Sequence, residues 1–167
     1  MPAGEPVHDD VYLERATENS RWLSEHFGGH VHVENLNYFP TGGYERVCGA
    51  EFIRRLVEAA EVDLLLDLAH AIISAHHLGY VDPWSYIESL PLYRVREIHI
   101  SHCSFLNGIL EDLHDAPGKD ELSLVKRIVE AGHKIQYLTV EYYRNADALC
   151  STYRLVVQAF GISSQRV

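Results

Sequence analysis

The chain has 167 residues, 47% of them apolar, and 14 Lys plus Arg against 24 Asp plus Glu give a formal charge of -10. That supports the hydrophobic core of one ordinary domain. An acidic surface without a basic run repels phosphate backbones and anionic lipid, which excludes a nucleic-acid partner, and no apolar run approaches the roughly 20 residues that cross a bilayer.

The opening MPAGEPVHDD lacks the basic and apolar parts of a signal peptide, and Cys48, Cys103 and Cys150 are widely spaced without a CxxC pair. A cytoplasmic chain with reduced thiols is expected. Residues 11–27 place Tyr12, Ala16, Leu23 and Phe27 at helical spacing, and Gly28-Gly29 ends the pattern. HVHVENL alternates and predicts a strand from His30 to Leu36, followed by the loop YFPTGGYERVCG. A second helix carries Phe52, Ile53, Leu56, Val57 and Ala60, and VDLLLD is apolar enough for a strand covered on both faces. Asp82-Pro83 opens a short helix through about Leu90. VREIHIS is the third strand, and Asp120 is expected to cap a helix bearing Leu122, Val125, Ile128 and Val129 that Gly132 ends. IQYLTVEYY is the fourth strand, and Asn145 begins a last helix to about Phe160. Strands separated by helices of this length are parallel, so the fold class is α/β, either a small open sheet or half of a (βα)8 barrel.

Each predicted strand ends on a polar group: Glu34, Asp67, His99 (inside EIHIS) and Glu141. The carboxyl ends of parallel strands lie together, where α/β folds keep their chemistry. The loops behind them add His70 and His76, then His102, Asp112 and His114; Asp112 and His114, at i and i+2, point the same way in an extended segment. A strand-end carboxylate taken singly is ordinarily a cap or an ion-pair partner. Four converging strands argue for a site. Carboxylate with imidazole suits Fe, Mn, Zn or Co rather than Mg or Ca, and more than four candidate ligands allow two or more metals. Of the eleven histidines, His8, His26, His30, His32, His77 and His133 have no such company and are read as surface or packing residues. Trp84, Tyr142 and Tyr143 are read as core or pocket wall.

The stretches VENLNYF, LLLDLAHAIISAHHLG, EIHISH, DLHDAP and TVEYY resemble, in order and spacing, the multinuclear non-haem iron-dependent oxidative enzymes, from about residue 11 to 150. The resemblance implies a xylose isomerase-like (βα)8 barrel with two or more irons at the carboxyl ends of its strands. It also implies oxidative modification of a ribosomally made peptide, often at cysteine, commonly with a separate peptide-recruiting partner protein. Metal-ligand roles follow for Glu34, Asp67, His70, His76, His99, Asp112, His114 and Glu141, of which Glu34, Asp67, His99 and Glu141 are also catalytic candidates. His70 stands where many members have asparagine, and His102 sits one residue closer to His99 than the family's histidine.

The match covers only the C-terminal half of members, so the expected unit is a parallel (βα)4 half-barrel forming one domain over 1–167. Such a half leaves two strand edges unpaired, to be completed by homodimerisation or by a complementing chain. The competing readings are a divalent-metal sugar isomerase or epimerase of the xylose isomerase-like class, and an accessory half-barrel without activity of its own. Mn or Zn in place of iron is kept open.

Overall fold

The computed structural model describes residues 8–41 and 44–161. The opening MPAGEPV and the Gly42-Gly43 pair of the first loop, on which the sequence readings touch, lie outside them.

Helix α1 (Asp9–Phe27) opens on His8 and stops at Gly28, whose φ of 62° is the left-handed value that favours glycine. Its expected apolar face is only partly used. Leu13 and Ala16 pack on the core, but the deepest positions are Thr17 and Ser20, while Phe27 is 75% exposed. Helix α1 makes its main contacts with helix α3.

Strand β1 is His32–Glu34, shorter than predicted, because the ladder gives way at Asn35 to a side-chain pairing described below. A single turn of helix, α2 (Tyr44–Val47), leads to α3 (Ala50–Ala60), which buries Ile53, Leu56, Val57 and Ala60 as the spacing requires. Strand β2 is Asp63–Asp67. Helix α4 (Leu68–His77) follows without a loop, so the stretch holding His70 and His76 is helical rather than the predicted loop. Helix α5 (Pro83–Ile87) starts as expected, the Asp82 carboxylate accepting from the Ser85 N–H at 2.7 Å.

A 3-10 turn (Leu92–Arg94) leads into β3 (Val95–Ile100). The expected loop after β3 is instead an antiparallel hairpin, β4 (His102–Leu106) and β5 (Ile109–Asp115), turning on Asn107-Gly108. Both turn residues have positive φ, 51° and 83°, as a two-residue hairpin of the primed type demands. Helix α6 (Lys119–Glu130) begins one residue before the predicted cap: Gly118 caps it, and Glu121 reaches back to accept from the Gly118 N–H at 2.8 Å, with Asp120 in the first turn. Strand β6 (Tyr137–Val140) and helix α7 (Ala146–Phe160), capped by Asn145, complete the order.

Strands β1, β2, β3 and β6 form one parallel sheet in that order. Leu64, Leu66, Ile98 and Ile100 are fully buried under the helices, together with Val57, Ile87 and Ile128. Alternation sends Leu65, Asp67, Glu97 and His99 to the opposite face. The sheet does not close on itself: among the described residues β1 and β6 are its edges.

Candidate metal centre

The site is built around the end of β2. Asp67 is completely buried, and its position is fixed by Asn35, also fully buried, which follows β1. The Asn35 side chain donates to the Asp67 carbonyl (3.0 Å) and accepts from the Asp67 N–H (2.8 Å), taking the place of a strand partner where β1 ends. One carboxylate oxygen of Asp67 caps α4 by accepting from the His70 N–H at 2.7 Å. The other, Oδ2, is buried with no hydrogen-bond partner.

Capping α4 through Asp67 brings its first-turn histidine over the strand ends. The His70 ring donates from Nδ1 to the Asn35 carbonyl at 2.8 Å, with Glu34 Oε1 3.4 Å from the same nitrogen; Nε2 lies 3.4 Å from Asp112 Oδ2. Three ligand-type groups, Glu34, Asp67 and His70, thus stand within 4.8 Å of one another.

A second group, Asp67, His99 and Glu141, meets the same limit. Register explains it: Asp67 pairs with His99 across β2–β3, and Glu141 follows β6 directly, its N–H bonded to the Ile100 carbonyl. His99 Nδ1 lies 3.0 Å from Glu141 Oε1, yet it is buried without a hydrogen bond of acceptable direction. The hairpin closes the group from above. Asp112 accepts from Ser101 Oγ (3.3 Å) and the His114 N–H (3.1 Å), while the His114 ring stands 3.4 Å from Asp112 Oδ2 and 3.6 Å from Glu141 Oε2. Arg144, just beyond β6, tethers the hairpin by donating to Asp115 at 2.8 Å and to the Leu113 carbonyl.

Charge follows from this crowding. Burial pushes the Asp67 carboxyl up, to about 6, against the pull of neighbouring His70. Burial alone would lower His70, but the Asp112, Asp67 and Glu34 carboxylates and the Asn35 carbonyl overcome it and lift the imidazole to about 9. Burial likewise raises Asp112, and the hydrogen bonds from His70 and His114 outweigh it and hold that carboxyl low. In the metal-free chain His70 is therefore a cation ringed by three carboxylates. The donor set fits a bound metal: carboxylate and imidazole groups converge, and two buried polar atoms, Asp67 Oδ2 and His99 Nδ1, are left without partners.

Seven of the eight expected ligands come together here. His76 does not. Six residues along α4 from His70, it points elsewhere, exposed, with its ring edge-on to His77 and Phe105. His102 is also apart, its Nδ1 2.7 Å from Glu121 Oε1 beside α6. Two residues escaped the sequence reading. Glu97 lies on the site's face of β3, and His32, expected as a surface or packing residue, approaches it with Nδ1 3.4 Å from Oε2. Glu97 and His99 at i and i+2 on a strand were the available signal. Among the aromatics, Trp84 carries the Arg127 guanidinium 3.9 Å over its ring, and Tyr143 is 82% exposed rather than a wall residue.

A solved structure described as a D-tagatose 3-epimerase-like protein superposes with a TM-score of 0.65 at 15% identity, over 92% of this chain and 55% of that one, a likeness of fold. In sequence the chain is 28% identical over 95 residues to a UPF0276 protein of Acaryochloris marina, covering 57% of this chain and 34% of that one. It is 29% identical to one of Caulobacter sp. (71% and 44%) and 30% identical to one of Bordetella pertussis (66% and 40%). The chain thus spans less than half the length of these curated relatives. The sequence model of the family described as RiPP precursor modification enzyme MbnB/TglH/ChrH matches residues 6–153. Among the described residues no helix is long and apolar enough to cross a membrane. With nine-tenths of its length matched, the chain belongs to the MbnB/TglH/ChrH family of RiPP precursor modification enzymes.

Proposed function

We propose that the chain is a metal-dependent oxidative enzyme of a ribosomally made peptide, with two or more non-haem irons held by Glu34, Asp67, His70, His99, Asp112, His114 and Glu141. The carrying observation is Asp67, which belongs to both three-ligand groups and keeps one buried oxygen unpaired. A carboxylate shared by two such groups would help to hold a metal in either, and an unpaired buried acid is costly without one. When bound, iron supplies activation of O2 and oxidation of the peptide.

This chain's residues hold and shield. The Asn35 carbonyl fixes the His70 ring, and Ser101 with the His114 N–H fixes Asp112. A cleft of about 760 Å³ walled by Tyr38, Phe39, Pro40, Ile109 and Leu110 runs to Asp112, and its apolar sides suit a peptide lying beside the site. The unit is a (βα)4 half-barrel in the cytoplasm, its β1 and β6 edges covered by a second copy or by other chain of the barrel, with a peptide-recruiting partner delivering substrate.

Elemental analysis of the native assembly, coupled to its mass and to O2 uptake with candidate peptides, tests this. Iron at two or more per complete site, and O2 consumption that depends on peptide, are expected. Manganese or magnesium with no O2 uptake overturns the reading in favour of isomerase-type chemistry.

A further inference from the structure

Behind the ligands lies a second polar tier on the same face of the sheet. Glu97 Oε1 accepts from Thr139 Oγ1 at 2.9 Å and from His99 Nε2 at 3.2 Å, and Oε2 lies 3.4 Å from His32 Nδ1. The three partners come from β6, β3 and β1, so one carboxylate ties together three of the four strands. Glu97 is in neither three-ligand group.

A neutral imidazole has one N–H and one lone pair. With the proton on His99 Nε2, the bond to Glu97 is made and the lone pair falls on Nδ1, the atom 3.0 Å from Glu141 Oε1 that has no hydrogen bond. With the proton on Nδ1, two lone pairs would confront each other at Glu97, and the Nδ1–H would point past Glu141 rather than along the contact. We propose that Glu97, braced by Thr139 and His32, is a positioning residue that holds the His99 proton on Nε2 and presents Nδ1 to the metal. This rests on the metal reading of Asp67, His99 and Glu141. Such outer carboxylates orient a ligating histidine and raise its basicity, and their loss commonly weakens metal binding about 10–100-fold.

The test uses the full chain with Zn2+ as a probe that brings no O2 chemistry. Titrations are run on the wild type, E97A, E97Q and T139V, with 15N NMR of the His99 ring at a pH where it is neutral. Glu97→Ala is expected to weaken Zn2+ binding about 10–100-fold and to mix the His99 tautomers. Glu97→Gln keeps an amide oxygen for the Nε2–H, so its loss stays under about tenfold and the Nε2-protonated signature persists. Thr139→Val, which removes one brace, falls between wild type and Glu97→Gln. Wild-type Zn2+ affinity and an unchanged ring signature in E97A overturn the role of Glu97 alone. A wild-type chain that takes up no Zn2+ overturns the metal reading and this inference with it.

Discussion

Asp67 and His70 are joined by two contacts of different kinds: a capping bond from the His70 N–H to Asp67 Oδ1 at 2.7 Å, and an approach of ring Nδ1 to that oxygen at 3.9 Å. The same acid thus starts a helix and faces the histidine that the helix delivers. Its other oxygen has no partner, which in the metal-free chain is a destabilising arrangement.

Asp67→Asn separates the two duties. The amide oxygen still caps α4, while the buried charge is gone. Thermal unfolding at pH 8 with chelator present is expected to show a midpoint equal to or above wild type. Asp67→Ala also loses the cap and falls about 1 kcal/mol below Asp67→Asn. Both variants lose metal from both groups, because the residue is shared. A chelator-treated Asp67→Asn chain well below wild type in stability contradicts this account.

Asn35 is the hinge between β1 and the site. Its side chain satisfies both the N–H and the carbonyl of Asp67, and its own carbonyl accepts a hydrogen bond from His70 Nδ1–H. Asn35→Ala leaves two buried backbone groups unpaired, at a cost of about 2–4 kcal/mol. Urea unfolding measures it, and a loss below about 1 kcal/mol would show that water or a shifted β1 replaces the amide.

The four parallel strands and the convergence of their ends were legible because periodicity and strand-end polarity are local properties, whereas the choice between an open sheet and a half-barrel came from the family resemblance. Glu34, Asp67, His99 and Glu141 arrive on one rim, as parallel strands dictate. What escaped was punctuation. Asp67 ends a strand, yet Asp followed by an apolar run is also a helix N-cap, a signal that places His70 and His76 on α4 and on different faces of it. Asn107-Gly108 between Phe105-Leu106 and Ile109-Leu110 is a hairpin signal within a segment whose His and Asp content otherwise suggests a ligand-bearing loop. The exposed end of α1 was not legible, since periodicity marks an apolar face without saying whether a neighbour covers it.

The hairpin yields a third prediction. His114 reaches Asp112 and Glu141 through a left-handed backbone, φ 48°, and not through the regular extended geometry that i, i+2 spacing suggested. A non-glycine residue there stores about 1 kcal/mol or more of strain. His114→Gly is expected to unfold at or above the wild-type temperature without metal, His114→Ala at a temperature no higher than wild type, and both to bind less metal. Equal stability of the two variants, by calorimetry, removes strain from the explanation.

The fourth concerns pH. His70 titrates in the folded metal-free chain at about 9 against an ordinary 6.5, and Asp67 at about 6 against 3.8. Both values are raised, so in each interval the folded chain holds a proton that the unfolded chain has released. The stability due to His70 is full below 6.5 and is lost as pH rises to about 9; that due to neutral Asp67 is lost between 3.8 and about 6. Chelator-treated protein should therefore weaken steadily from pH 6.5 to 9. Metal reverses the sign, because ligation needs His70 neutral and Asp67 ionised: apparent Zn2+ affinity climbs over the same interval, and protons are released on binding. Calorimetric titration in buffers of different ionisation enthalpy counts those protons. A Zn2+ affinity flat between pH 6.5 and 9, with no proton release, would mean that His70 is not displaced from its cationic state and is not a ligand.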